Sequence, residues 1–104
     1  SFGTIVLVTA ISPYRADRQR VKESHERQAI PFMEVHIATS VEECGIRDTK
    51  GLYARVRKGE YQGLSGVDAP YESPTDAEVV IETEGRPVSD CATALSEVIR
   101  QQLL

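Results

Sequence analysis

Apolar and polar positions along this chain follow two rhythms in turn. Residues 4–10 (TIVLVTA) form a nearly continuous apolar run rich in β-branched side chains, the pattern of a strand covered on both faces of a parallel sheet. Ser12-Pro13-Tyr14 breaks the run. Over residues 15–28 a charged segment follows, in which Tyr14, Val21, His25 and Ala29 recur at helical spacing, predicting a helix with a thin apolar stripe. Pro31 ends it, and residues 32–38 (FMEVHIA) return to the strand rhythm, with apolar residues at Phe32, Met33, Val35 and Ile37. Ser40 and Glu43 match a capping box, so a short helix is predicted from Val41 that turns Cys44 and Ile46 inward.

Leu52, Tyr53 and Val56 lie at helical spacing between Gly51 and Gly59, among Lys50, Arg55, Arg57 and Lys58. They predict a short basic surface helix. Residues 60–76 hold Gly63, Gly66, Pro70 and Pro74 among polar side chains, a connection longer than most and expected to be a lid or binding loop. Residues 77–83 (AEVVIET) read as a third strand. Pro87 pre-sets a final helix whose Val88, Cys91, Ala92, Leu95, Val98 and Ile99 recur at three and four. This order of elements is that of an α/β domain with a parallel sheet and right-handed crossovers.

Composition narrows the picture. At 104 residues, 40% hydrophobic and 27% charged, the chain reads as one small globular domain with a modest core, not as a disordered or fibrous segment. The net charge of −4 argues against a nucleic-acid binder that neutralises phosphates with its whole surface. The sign is uneven: residues 1–58 carry ten Lys/Arg against seven Asp/Glu, whereas residues 59–104 carry two against nine. A local anion site in the first half therefore stays open. Cys44 and Cys91 form neither a CxxC pair nor a Cys/His cluster, and His25 and His36 have no companion ligands at metal spacing, so two reduced thiols and no metal site are expected. No apolar run reaches the length of a membrane span and no basic leader precedes the first run, which predicts a cytoplasmic protein without membrane contact.

In open parallel sheets ligands bind beyond the carboxyl ends of the strands, which directs attention to Ile11-Ser12-Pro13 after the first run. A serine there also serves as a plain turn former. The cationic group Lys50, Arg55, Arg57 and Lys58 could receive phosphate or sulfate through charge-assisted hydrogen bonds, or form a solvated helix face.

The segments ISPYRADR (11–18), RDTKGLYARVRKGE (47–60) and GLSGVDAPYESP (63–74), in this order and spacing, resemble the adenylylsulfate kinase family across essentially the whole chain. The resemblance implies a P-loop kinase-like parallel sheet flanked by helices. This chain would carry about three strands and four helices of it, without the P-loop strand, as the C-terminal portion of the catalytic domain. The implied activity is transfer of the γ-phosphoryl group of MgATP to the 3′-hydroxyl of adenosine 5′-phosphosulfate, giving the activated sulfate donor PAPS. Ile11 and Ser12 would lie against the phosphosulfate substrate, with Ser12 also matching a serine proposed to be phosphorylated. Lys50 would contact the substrate nucleotide and Arg47 would pack on the ATP adenine, with Arg86 near the other side of that site. Gly63-Leu64 replaces a glycine-aromatic pair that stacks on the substrate adenine, and Gln62 replaces a common lysine.

One departure is an absence. Phosphoryl transfer needs backbone amides and a lysine around the phosphates, with Mg²⁺ held by Ser/Thr and a carboxylate, yet no GxxxxGK[ST] occurs in these residues. The resemblance places those parts upstream of the first run, so the chain alone is expected to be inactive or nearly so. The uncovered first strand would then need an N-terminal half, a second copy of the chain or elements exchanged between chains as cover. The alternative reading is a non-catalytic kinase-like nucleotide-binding or regulatory module attached to or associated with an ATP sulfurylase.

Overall fold

The computed structural model describes residues 3–104. Its sheet is a parallel pair, β1 (Val35–Ala38) and β2 (Val79–Glu82), in a register that sets Val35 opposite Val79 and Ala38 opposite Glu82. Each is shorter than the alternation predicts. On β2 the period of two is plain: Val79 and Ile81 face the core, Ile81 only 5% exposed, while Val80 between them faces out. The ladder continues one step past the strands through the Thr83 amide, which donates to the Ala38 carbonyl at 3.1 Å. There the Thr39 and Thr83 hydroxyls bond each other.

Parallel strands require a crossover, and the segment between these two supplies it. α1 (Arg15–Arg27) precedes β1; α2 (Val41–Arg47), α3 (Leu52–Arg57) and the long connection over residues 60–76 lie between the strands. α4 (Val88–Leu103) starts after Pro87 in extended conformation and packs on β2, with the Cys91 thiol 3.9 Å from the Glu82 carbonyl. α1 is held differently. Its stripe is too thin to bury, Tyr14 and Val21 staying about half exposed. Ion pairs from Arg18 to Glu34 at 3.2 Å and from Lys22 to Glu78 at 3.4 Å tie it to the residues just before the two strands. The facing charge of Glu78 holds the Lys22 ammonium above its ordinary value. His25 also meets the Phe32 ring at 4.8 Å.

Three expectations are corrected. Residues 4–10 form no strand, and Val8 is 82% exposed. A strand exists only where a neighbour accepts its ladder, and among the described residues β1 and β2 pair solely with each other. Two strands form, not three. Ile46 points out of α2, 79% exposed, although Cys44 turns inward to half-burial. Val88 is 86% exposed despite being in phase with Cys91 and Leu95, because the narrow sheet leaves the first turn of α4 uncovered.

The core is correspondingly thin. The accessible surface is 7899 Å², whereas a compact monomer of this mass exposes about 5,800 Å². The radius of gyration is 15.9 Å, against about 13 Å for a compact domain of this length.

Candidate functional site

The carboxyl end of β2 gathers two of the candidate residues. α2 is started by Ser40, whose hydroxyl accepts the Glu43 amide at 3.1 Å, half of the predicted capping box. The Glu43 carboxylate does not reach back. It bonds Arg47 one turn on at 3.0 Å, and the Ser40 amide is taken by Glu84 at 2.9 Å. Bonds from the Ser40 hydroxyl and then its amide, with some attraction from Arg47, hold the Glu84 carboxyl below its ordinary value against a small opposing effect of burial. Arg47 thus arrives at Thr83 already oriented: Nη1 donates to the Thr83 hydroxyl at 3.0 Å and Nη2 to its carbonyl at 2.9 Å. The Arg86 amide donates to the same carbonyl at 3.1 Å, and its Nη1 to the Glu82 carbonyl at 3.0 Å. Two guanidinium-bearing residues therefore converge where ligands bind in parallel sheets. The bonds of Arg47 lie in its guanidinium plane, which leaves the faces of the plane for stacking on a base.

A second cluster joins the first sequence motif to the end of the third. Ser12 has φ of 44°, a left-handed conformation uncommon for any residue but glycine. Its carbonyl accepts Arg18 Nη1, and Nη2 of the same guanidinium bonds the Glu72 carbonyl. Glu72 reciprocates: its amide donates to the Pro13 carbonyl at 2.8 Å, and its carboxylate accepts the Arg15 amide at 2.6 Å. That last bond satisfies a first-turn amide of α1 that Tyr14, at the cap, has no side-chain acceptor for. Arg15 closes the contact by donating to the Ser73 carbonyl at 3.1 Å. Ile11 and Ser12 are themselves exposed.

The remaining candidates sit in turns organised by aspartates. Asp48, with φ of 29°, accepts the Tyr53 and Ala54 amides through its two carboxylate oxygens at 2.9 and 3.1 Å, and its carbonyl accepts the Gly51 amide at 2.9 Å. Gly51 completes the turn at φ of 70°, which a side chain would strain. Lys50 stands exposed inside this turn, in no ion pair among the described residues. Tyr53 packs α3 against α2; burial pushes its phenol up, with its bond to Cys44 and the charge of Asp48 adding to the effect. In the long connection, the Asp68 carboxylate accepts the Gly63 amide at 3.0 Å and the Leu64 amide at 2.6 Å. The Leu64 carbonyl in turn accepts the Val67, Asp68 and Ala69 amides, leaving its side chain half-buried.

Arg47 and Arg86 are thus brought together around Thr83, and Ser12 is bonded through Arg18 to the connection that carries Gly63 and Leu64. No hydrogen bond or ion pair among the described residues links Lys50 to either cluster. Sequence reasoning missed Arg18, Asp48, Asp68 and Glu72. Asp48 and Asp68 carry the short-range signal of an aspartate placed to bond backbone amides of its own turn. Glu72 bonds Arg15 and Arg18 from more than fifty residues away in the chain, and that long-range half of the contact leaves no local signal.

Comparison with known proteins bears on this geometry. A family model described as adenylylsulphate kinase matches residues 1–82. An adenylyl-sulfate kinase of Lactiplantibacillus plantarum is 47% identical over 87 residues, covering 84% of this chain and 41% of the relative. One from Staphylococcus carnosus is 41% identical over 100 residues, covering 96% of this chain and 49% of the relative. Among solved structures, the Mycobacterium tuberculosis APS kinase CysC in complex with AMPPNP and APS superposes with a TM-score of 0.84 at 33% identity, over 92% of this chain and 55% of that one. The chain spans about half the length of the curated relatives it matches. No helix among the described residues is long and apolar enough to cross a membrane. With its motifs in register and the α/β arrangement of a solved member reproduced, the chain belongs to the adenylylsulphate kinase family and matches a C-terminal portion of it.

Proposed function

We propose that these residues form the substrate wall and adenine end of a sulfate-activating phosphotransferase. The reaction joins the 3′-oxygen of adenosine 5′-phosphosulfate to the γ-phosphorus of ATP as the bond to ADP breaks, and the hydroxyl proton passes to solvent. Ile11, Ser12, Lys50, Gly63 and Leu64 line the sulfated substrate; Arg47 and Arg86 hold the ATP adenine. Lys50 suits an anionic group as a mobile point charge, while Arg47, fixed in plane by its bonds to Glu43 and Thr83, suits a base. Leu64 offers the substrate adenine apolar contact without an aromatic face. The observation that carries the reading is the convergence of Arg47 and Arg86 on the Thr83 carbonyl in a chain whose family includes a solved member bound to AMPPNP and APS.

The chain's own residues do not fit the triphosphate or its magnesium. No GxxxxGK[ST] occurs in the sequence, and among the described residues no three His, Cys, Asp or Glu side chains gather as metal ligands. What these residues supply is orientation of the acceptor and of the adenine, the part of phosphoryl transfer that depends on positioning. An N-terminal half or a partner chain supplies the phosphate grip.

The test is PAPS formation from ATP and adenosine 5′-phosphosulfate. The 104-residue chain alone gives no turnover, and adding the N-terminal half of a relative restores it. Turnover by the chain alone at the roughly 1 to 100 per second typical of kinases refutes the division of labour. Calorimetry that detects no heat with adenosine 5′-phosphosulfate, alone or with the added half, refutes the substrate wall.

A further inference from the structure

We propose that Arg18 is a positioning residue: its guanidinium fork clamps the Ser12 and Glu72 carbonyls together and so sets the substrate wall and the long connection as one unit. The proposal rests on the reading that Ser12 faces the sulfated substrate, but the clamp itself is defined by the geometry. Nη1 bonds the Ser12 carbonyl, Nη2 bonds the Glu72 carbonyl, and Nε lies 3.2 Å from a Glu34 carboxylate oxygen. The Arg18 side chain is only 12% exposed and that of Glu34 18%, so the group is largely withdrawn from water in a molecule with little core. Its two terminal nitrogens have separate carbonyl acceptors, one in the 11–18 motif and one in the 63–74 motif, and Nε faces the charge of Glu34, the residue before β1.

Ser12 explains why a clamp is needed. A non-glycine residue at φ of 44° occupies a sparsely populated conformation that persists only where the surroundings over-determine it. Ile11 and residues 4–10 before it are exposed and unpaired among the described residues, so they give no support from that side. What holds Ser12 comes from the other side: Arg18 on its carbonyl, and the Glu72 amide on the neighbouring Pro13 carbonyl. Glu72 is fixed in turn by Arg18 and by the Arg15 amide. Without the fork, the connection keeps only its bonds to Pro13 and Arg15, and the Ser12 carbonyl loses its one side-chain donor among the described residues, which lets Ser12 relax toward negative φ. Arginine is required because the two carbonyls need two parallel donors in one plane; lysine satisfies the Glu34 charge but presents a single nitrogen.

The test uses the 104-residue chain with Arg18→Ala, Arg18→Lys and Glu34→Gln, read by amide hydrogen exchange at Glu72 and Arg15 and by calorimetric titration with adenosine 5′-phosphosulfate. In both Arg18 variants the Glu72 and Arg15 amides lose protection. Affinity falls by about tenfold as the fraction of chains holding the bound geometry shrinks. Glu34→Gln, which removes the ion pair but leaves both carbonyl bonds of the fork, retains the protection at Glu72 and Arg15; loss of that protection overturns the proposal, since the charge of Glu34 and not the fork would then hold the connection. Full recovery of protection in Arg18→Lys overturns the proposal, since charge alone would then suffice, and so does unchanged protection in Arg18→Ala. If Arg18→Ala fails to fold, Arg18→Lys decides. If the parent chain binds no adenosine 5′-phosphosulfate even with the added N-terminal half, the substrate reading fails, while the exchange at Glu72 still decides whether the clamp exists.

Discussion

Arg47→Ala separates what that side chain does for the fold from what it does for a nucleotide. The substitution removes the bond to Glu43, where both side chains are partly exposed, and two bonds to Thr83, a buried residue. The first is a helix-surface pair worth about 0.3 to 0.5 kcal/mol. Bonds from a charged donor contribute about 1.5 to 3 kcal/mol, and Thr83 is buried with Arg47 in place. The Thr83 carbonyl keeps the Arg86 amide, and its hydroxyl keeps Thr39, so neither is orphaned and the lower end of that range applies to each. The expected loss is about 2 to 4 kcal/mol, a large part of the roughly 5 to 15 kcal/mol that stabilises a domain. Urea unfolding followed by far-ultraviolet circular dichroism reads it directly, as a midpoint lower by about 1 to 3 M at the slope of a small protein. Arg47→Lys recovers the Glu43 pair but not the planar fork, and falls between. A change below about 0.5 kcal/mol, the scale of an ordinary surface substitution, refutes the assignment of Arg47 to the end of β2.

Two further predictions concern the anion site and pH. Lys50→Ala weakens adenosine 5′-phosphosulfate binding by about tenfold or more, the loss of one charge-assisted bond, whereas Lys58→Ala changes it by less than about twofold; equal effects in calorimetry mean that general positive charge, not a positioned lysine, attracts the ligand. Because Glu84 titrates below its ordinary value of 4.5 when folded, its bonds to Ser40 contribute fully above that value and are lost as pH falls through the lower folded value. Glu84→Gln therefore reduces the difference in urea midpoint between about pH 7 and pH 4 relative to the parent; an identical pH dependence in the two chains removes Glu84 from the acid response.

The local elements were legible because their signals are local. The glycines on either side of Leu52–Arg57 mark α3, Ser40 marks the start of α2, and the spacing of Cys91, Leu95 and Val98 marks α4. The parallel pairing followed from alternating element types. The first run departs from its expectation for a physical reason: TIVLVTA has every intrinsic property of a buried strand, but pairing is a property of two segments, and no described residue offers it a ladder. Ile46 shows the same limit on a helix, where an apolar position in phase with the inward face still points to water if nothing lies beyond it. In the site, the sequence pointed to Arg47 and Arg86 without indicating that Thr83 is their common anchor. It pointed to Ser12 and Leu64 but not to the side chains that hold their backbones.

Those backbones are held almost entirely by charged groups. Arg18 grips the Ser12 carbonyl, Asp68 the Gly63 and Leu64 amides, Asp48 the amides at the start of α3, and Arg47 the Thr83 carbonyl. Apolar burial contributes little near the first three, since among the described residues the buried apolar side chains are Val79 and Ile81 on β2. Each clamp acts within a few ångströms and is indifferent to whether the exposed apolar run over residues 4–10 is covered, so the turns bearing Lys50 and Leu64 keep their shape without that cover. Ser12 differs, because it follows the run directly and has support from one side only. Ligand contacts through Lys50 and Leu64 should therefore be measurable on this chain as it stands, while contacts through Ile11 and Ser12 should strengthen once a partner strand pairs with the run. An added N-terminal half that raises affinity equally in the parent and in Ser12→Gly argues against that coupling, because glycine takes φ of 44° without support and leaves the partner strand nothing to correct.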